Sequence, residues 1–115
     1  MEKIKVIKIT TSDDITIINI DNEITALQNE VGGYIEPIYL PNDYIMIIDE
    51  EGKIKEKDVN YLATDILKYA FDTPDFIVGD CFICKRDNND IRGLTYKEIK
   101  EFFDYYELFK VEVNK

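Results

Sequence analysis

The chain has 115 residues and a net charge of −10, from 24 acidic and 14 basic side chains, and it contains no histidine. An acidic surface disfavours nucleic acid and anionic membranes, because both are bound by placing cations on phosphates. Without histidine, and with Ser12 as its only serine, the chain has no Ser-His or Cys-His nucleophile and lacks the commonest metal ligand. We therefore expect a protein that binds rather than catalyses, with no cofactor and no metal.

Length and an apolar fraction of 45% predict one folded domain over residues 1–115. No apolar run of about 18 residues occurs, so no membrane span is predicted. The amino-terminal segment also lacks the apolar stretch and cleavage site of a secretion signal. Two cysteines do not form a disulfide framework, and we expect a reduced, cytoplasmic setting.

The first elements predicted are two strands, at residues 4–10 and 15–20, which the turn-forming sequence TSDD joins into a hairpin. A first helix follows. Asp21 or Asn22 caps its start, and Gly32-Gly33 ends it because glycine tolerates the left-handed conformation. The buried stripe of this helix comprises Ile24, Leu27 and Val31.

Two further strands are predicted at residues 34–40 and 44–49. Pro37 has no N–H, which places the first of them at an edge or a bulge, whereas the second is more apolar and more central. A second helix follows Asp58, occupies residues 59–71 and ends at the sequence DTPD. Its apolar stripe comprises Val59, Leu62, Ala63, Ile66 and Ala70.

A fifth strand is predicted at residues 76–86, followed by a polar loop at 87–93. The last helix begins with a capping box, in which Thr95 and Glu98 exchange hydrogen bonds. Its buried stripe comprises Ile99, Phe102, Phe103, Tyr106 and Phe109. Residues 110–115 form either a short closing strand or a frayed end.

The order of elements is ββαββαβα. Strands joined mainly by hairpins and interspersed with helices predict the α+β class, with a mixed, mostly antiparallel five-stranded sheet and three helices on one face.

Both cysteines lie in the fifth strand, spaced C-x-x-C at Cys81 and Cys84. Side chains of a strand alternate between its faces, so the two sulfurs are predicted on opposite sides of the sheet, where they cannot chelate one ion. A structural zinc site needs about four ligands, and a thioredoxin-type pair begins a helix. We interpret the cysteines as structural thiols, with a metal or redox site as the alternative.

Five fragments occur in a fixed order along the chain: ITALQNEVGGYIEPIYL, IIDEEGKIK, NYLAT, IVGDCFICK and GLT. In that order they resemble the domain-of-unknown-function family thirty-eight forty-six, over roughly Val6 to Thr95. The chain departs from the pattern at Asp49, where an asparagine is expected, and in its acidic, aromatic last helix. The resemblance carries no activity and no catalytic residue. It implies a small accessory protein of a phage, plasmid or related mobile element.

A first candidate ligand site consists of small and polar residues at the ends of predicted elements, where a rigid scaffold positions loops. Its members are Gly32, Gly33, Glu36, Glu50, Asn60, Thr64 and Asp80. Amide and hydroxyl groups can hydrogen-bond a base or a sugar. The alternative is structural, because glycines end helices and Asn60 and Thr64 can serve the first turn of the second helix.

The sequence KRDNNDIRG holds Arg86 and Arg92, the only arginines of the chain. Guanidinium groups bind phosphate and carboxylate through paired hydrogen bonds, so a nucleotide would place its phosphates here. Asp87 and Asp90 lie in the same segment and would repel an anion. A solvated loop is therefore the alternative.

A candidate protein-binding surface lies on the last helix and comprises Glu98, Glu101, Asp104, Tyr105 and Glu107. Further acids, among them Asp49, Glu50 and Glu51, add to the same negative potential. Carboxylates on a rigid helix can imitate a path of phosphates, and exposed tyrosines are enriched at interfaces. A solvated helix face is the alternative.

These observations predict a non-enzymatic binding protein of a phage or mobile element, located in the host cytoplasm. Its partner would be a host defence or nucleic-acid-processing protein with a basic surface, which it inhibits. The alternative function is a sponge that sequesters a nucleotide-like immune signal. We expect no membrane binding and no direct binding of nucleic acid, and a homo-oligomer is compatible with the sequence.

Overall fold

The computed structural model describes residues 2–108. Its strands and helices, in chain order, are β1 (Lys3–Ile9), β2 (Ile15–Asp21), α1 (Ile24–Val31), β3 (Ile35–Tyr39), β4 (Tyr44–Asp49), α2 (Tyr61–Phe71), β5 (Cys81–Asp87), β6 (Asp90–Arg92) and α3 (Tyr96–Tyr105). The predicted closing segment at 110–115, and Phe109 of the predicted helix stripe, lie outside the described residues. No helix within residues 2–108 has the length and apolar character needed to cross a bilayer.

The described strands form one sheet, in the order β2-β1-β5-β4-β3, with β6 attached to β5. Every pairing is antiparallel, which confirms the predicted α+β class. The edge position of β3 confirms the prediction from Pro37, whose nitrogen cannot donate to a further strand. The more apolar β4 lies between β3 and β5, as predicted.

The structure has a sixth strand where a polar loop is predicted. Lys85 of β5 lies opposite Arg92 of β6, and Asp87 lies opposite Asp90. The connection is a tight turn, in which Asn88 has a φ of 57°, a conformation that asparagine tolerates better than most residues. A strand of three residues is too short for an alternating pattern to appear in the sequence. One edge of β5 pairs with β4. The other edge pairs with β1 at residues 81–83 and with β6 at residues 85–87.

Helices cover both faces of the sheet, and the prediction of helices on one face is wrong. Cys81 and Ile83 of β5 belong to the core beneath α2 and α3, whereas Phe82 and Cys84 belong to the core beneath α1. Four consecutive buried residues at 81–84 require apolar cover on both sides of the strand. The uninterrupted apolar run CFIC at these positions indicates the same requirement.

The two thiols lie on opposite faces of the sheet, as the strand period predicts, and both are free. Burial raises the pKa of Cys81 and of Cys84 to about 12, so neither is a thiolate at neutral pH. Within residues 2–108 no cluster of three or more acidic or cysteine side chains is placed to hold a metal ion.

The helix ends follow from local sequence, with two corrections. The capping box of α3 is present, because the Thr95 hydroxyl accepts from the Glu98 N–H at 3.1 Å and the Glu98 carboxylate accepts from the Thr95 N–H at 2.9 Å. Gly32 ends α1 with a φ of 77°. The N-cap of α1 is Glu23 rather than Asp21 or Asn22, and it makes no side-chain capping bond. α2 begins at Tyr61 rather than at residue 59, and Asn60 is its N-cap.

The predicted helix stripes are largely buried. Leu27 and Val31 of α1 are in the core, but Ile24 is 55% exposed because the helix begins there, beyond the edge of its core. In α3, Ile99 and Phe102 are fully covered. Val59, predicted in the stripe of α2, precedes the helix and forms a bridge to Val78.

Candidate functional site

Asn60 and Thr64, two of the predicted ligand residues, hold the fold together. Asn60 is 0% exposed, and its amide nitrogen donates to the carbonyls of Ile9 at 3.1 Å and Gly79 at 3.0 Å while its oxygen caps α2. The Thr64 hydroxyl accepts from the Ile77 N–H at 2.9 Å. These bonds join β1, α2 and the segment before β5, and they use all the polar atoms of the Asn60 side chain.

Asp49 is a buried carboxylate, although the sequence places it among the surface acids. Lys57 and Lys55 approach it to 2.6 and 2.9 Å, and the Glu51 N–H donates to it at 2.9 Å. Burial alone raises the pKa of Asp49, but the bonds from the two lysines outweigh burial and hold the pKa at about 2. A Cβ on Gly33 would lie 2.5 Å from the Asp49 carboxylate, so glycine is needed there for close approach.

The other predicted ligand residues are dispersed. Asp80 accepts from the Thr11 N–H at 3.0 Å and thereby fastens the turn between β1 and β2. The carbonyl of Gly32 accepts from Lys55 at 3.2 Å. Glu36 and Glu50 share a small cavity of about 150 Å³. The seven residues therefore do not converge on one site.

The two arginines lie on opposite faces of the sheet. Arg86 is opposite Ile91 in the β5–β6 hairpin, whereas Arg92 is opposite Lys85, so the alternation of side chains sends them to different sides. They cannot hold one phosphate together.

Arg92 is bound to α3. Its guanidinium donates two hydrogen bonds to the Glu98 carboxylate, at 2.9 and 2.7 Å. These bonds are the largest cause that lowers the pKa of Glu98 to about 2, and the same bonds raise the pKa of Arg92. The pair fixes the β5–β6 hairpin to the first turn of α3, so both side chains serve the fold.

Arg86 faces the α1 side, where it lies over Tyr39 with 5.3 Å between its guanidinium carbon and the ring centre. Its Nε donates to the Asn88 carbonyl at 3.0 Å. This cation–π contact and this bond restrict the guanidinium. The tip of the hairpin therefore holds one restrained cation.

A cleft of about 620 Å³ opens beside Arg86. Its floor is apolar and consists of Leu27, Ile35, Pro37, Tyr39, Ile45, Ile47 and Ile91. Its rim is polar and consists of Asn22, Glu23, Arg86, Asn88, Asn89 and Asp90, with Ile24 beside them. The cleft exists because α1, with eight residues, covers only part of its face of the sheet. This volume and this mixture of linings are typical of small-molecule sites.

A ladder of aromatic rings connects the opposite side of the molecule to its core. Tyr44 contacts Phe102 at 4.9 Å, Phe102 contacts Tyr106 at 4.7 Å, and Tyr106 contacts Tyr105 at 4.8 Å between ring centres. Tyr69 of α2 closes the ladder against Tyr105 at 5.4 Å. Tyr69 and Tyr105 are 58% and 43% exposed, so two surface rings rest on buried ones.

Acidic side chains flank these exposed rings on both helices. We define the tyrosine–acid surface as Asp65, Tyr69, Asp72, Glu101, Asp104 and Tyr105. Among the predicted acids, Glu101 and Glu107 are exposed. Asp104 forms an exposed pair with Lys100 at 3.0 Å, and Glu98 is bound to Arg92. Asp65 and Tyr69 of α2, and Asp72 at its C-cap, were not singled out from the sequence.

The fold defines a small antiparallel α+β protein with helices on both faces of its sheet. The model of the family described as Domain of unknown function (DUF3846) matches residues 4–108, and the chain belongs to that family. This match confirms the resemblance and extends through α3, which the sequence fragments left unmatched. No curated protein and no solved structure matches the chain significantly.

Proposed function

We propose that the protein acts by binding, and that its tyrosine–acid surface docks on a basic surface of a partner protein. In this proposal the partner is a host defence or nucleic-acid-processing protein, which the bound chain inhibits in the cytoplasm of a cell that carries a phage or mobile element. The observation that carries the proposal is the pair of exposed rings, Tyr69 and Tyr105, supported from beneath by the ladder to Tyr44.

Rings held in this way suit an interface. An exposed tyrosine usually loses rotamer freedom when a partner covers it, and that loss weakens binding. Tyr105 is already confined between Tyr69 and Tyr106, so less freedom remains to be lost. Tyrosine is also enriched among the residues that carry most of the binding energy of an interface.

The charge of the molecule specifies the kind of partner. The chain carries −10, and the exposed Asp65 and Glu101 lie one helical turn before Tyr69 and Tyr105 on α2 and α3. A negative surface steers basic partners towards itself and repels acidic ones. Carboxylates beside aromatic rings also complement arginine, which pairs with the acid and stacks on the ring.

The test is a tagged pull-down from host lysate with quantitative mass spectrometry, comparing the original chain with a Tyr69→Ala, Tyr105→Ala double variant. Recovery of the partner should fall at least about tenfold, since buried interface tyrosines typically contribute 2 kcal/mol or more. Recovery should also fall at about 1 M salt, where charges are screened beyond about 3 Å. Circular dichroism melting checks that the variant is folded.

The matched control is Tyr34→Ala, which removes a tyrosine that is more exposed than either, 64% accessible, from the segment after α1. Its recovery of the partner should equal that of the original chain. A partner held equally well by the double variant, or lost to the same degree with Tyr34→Ala, would place the interface elsewhere and reject the proposal.

The alternative function, sequestration of a nucleotide-like signal, is less well supported. It relied on two arginines, and Arg92 is bound to Glu98. The remaining Arg86 shares its cleft with Glu23. A single cation that shares its cleft with a carboxylate is a weak site for a ligand that carries several phosphate charges.

A further inference from the structure

The cleft on the α1 side has its own charge pattern. One guanidinium, that of Arg86, and one carboxylate, that of Glu23, lie on its rim. Asp90 is opposite Asp87 in the hairpin, so strand alternation sends its side chain to the Arg92 side. Three asparagine amides add both donors and acceptors. A ligand that matches this rim carries one negative charge and at least one positive charge, because each fixed charge is stabilised by an opposite one.

Arg86 has a restrained guanidinium with unused donors, which suits it to bind a carboxylate. Its Nε donates to the Asn88 carbonyl, and its guanidinium carbon lies 5.3 Å from the centre of the Tyr39 ring. Within residues 2–108, no other hydrogen bond or ion pair of the guanidinium is present, so its terminal nitrogens remain for a ligand. Two N–H groups in a fixed plane match the two oxygens of a carboxylate.

The Glu23 carboxylate is available for a cation. Glu23 forms no ion pair with another described residue. It is the N-cap of α1 without capping it through its side chain. It is exposed, and an ammonium group would find an unshared partner there.

The floor of the cleft selects an apolar body between the two charged ends. Pro37, Tyr39 and Ile45 present aliphatic and aromatic surface along neighbouring strands. A volume of about 620 Å³ is in the range of drug-sized ligands and exceeds the size of a single amino acid.

We propose that this cleft binds a small zwitterion with an apolar body, of the size of a dipeptide or tripeptide. The carboxylate of the ligand pairs with Arg86, its ammonium group lies beside Glu23, and its apolar side chains cover the isoleucine and proline floor. The site is on the opposite side of the sheet from the tyrosine–acid surface, and the inference does not depend on the proposed function.

The test is an NMR titration of the full chain with the dipeptides Leu-Phe and Phe-Leu, their amidated and N-acetylated forms, and AMP, in a non-zwitterionic buffer. We expect saturable shifts at the backbone amides of Arg86, Asn89 and Ile91 with at least one free dipeptide. Removing either terminal charge should weaken its binding about tenfold, as expected for a lost charge-assisted bond.

Two variants assign the charges. Arg86→Gln should lower the affinity for the free dipeptide to the value that the original chain has for the amidated dipeptide. The substitution and the amidation remove the same contact. Glu23→Gln should narrow the difference in affinity between the free and acetylated dipeptides. Lys97→Gln, which removes one positive charge from the first turn of α3, is the control and should leave all affinities unchanged.

Three outcomes would overturn the proposal. Tighter binding of AMP than of both dipeptides at the same amides would show a phosphate site. Equal affinity for the free and amidated dipeptides would show that Arg86 does not bind the carboxylate. The absence of saturable shifts with both free dipeptides would show that the cleft does not take this class of ligand.

Discussion

The two faces of the sheet are covered by helices to different extents. Beneath α2 and α3, a continuous ladder of rings fills the space between helices and strands. Beneath α1, one helix of eight residues leaves a cleft of about 620 Å³. The same β5–β6 hairpin sends Arg92 to the closed face, where Glu98 binds it, and Arg86 to the open face.

This difference shows that the type of residue does not identify a binding site by itself. Two arginines six positions apart are equivalent in the sequence, but the donors of Arg92 are used by Glu98 at 2.9 and 2.7 Å. The terminal donors of Arg86 are unused within residues 2–108. What separates a structural cation from a ligand-binding one is whether a partner from the same chain already fills its geometry.

The largest difference between the faces should appear in core substitutions. Phe102→Ala removes a fully buried ring from the ladder and should lower the free energy of unfolding by about 4 kcal/mol. Ile35→Ala, on the floor of the cleft and only partly buried, should cost about 1 kcal/mol. Urea denaturation followed by circular dichroism measures both. Equal losses would mean that the cleft is closed in solution.

Acid titration should test one paired carboxylate from each side. The pKa values of Asp49 and Glu98 are about 2 in the folded chain, against ordinary values of 3.8 and 4.5. The unfolded chain binds more protons in this window, so stability rises with pH there and is lost as pH falls from about 4.5 towards 2. Each carboxylate should contribute on the order of 2 kcal/mol at neutral pH.

Denaturation midpoints at pH 7 and pH 3 provide the measurement. Asp49→Asn should reduce the drop in stability between these pH values, as its share of the titration is removed. An unchanged drop would contradict the assignment of that share to Asp49.

Substitution of the two arginines should lower the free energy of unfolding by unequal amounts, and the difference should be smaller than for the core substitutions. Arg92→Gln should lower the free energy of unfolding by about 1 kcal/mol, a value reduced because the Arg92 side chain is 38% exposed and its ion pair is partly screened. Arg86→Gln should change stability by less than about 0.5 kcal/mol. Thermal melting of the two variants side by side checks this, and equal destabilisation would remove the distinction between the arginines.

The smallest expected effect is a gain in stability on the open face. Glu23 is an N-cap without a side-chain bond, whereas Asn60 and Thr95 cap α2 and α3 with theirs. Glu23→Ser should therefore stabilise the chain by about 0.5 kcal/mol. Thermal melting would detect an upward shift of the midpoint, and a fall would show that Glu23 supports α1 in another way.

Features that depend on short stretches of chain could be predicted from the sequence. The capping box at Thr95, the glycine stop at Gly32, the edge position of Pro37 and the opposed thiols each follow from local geometry, and the structure has all four. The family could also be recognised, because its fragments occur in order.

Features that depend on distant partners could not be predicted in this way. The pairing of Arg92 with Glu98 requires the hairpin to be placed against α3, and the burial of Asp49 requires two lysines that follow it in a turn. The cleft is the space that α1 leaves uncovered, and it depends on the position of a whole helix. These properties arise from tertiary packing, so local sequence patterns do not predict them.

The opposed thiols allow the opening of each side of the molecule to be measured separately, by the rate at which each sulfur is alkylated. Cys84 lies beneath α1 and Cys81 beneath α2 and α3, so an alkylating reagent can reach each sulfur only when its own helix layer lifts. Because α1 covers its side less completely, Cys84 should be modified first under native conditions. A mass spectrometric time course would thus record how often each layer opens, without any added probe.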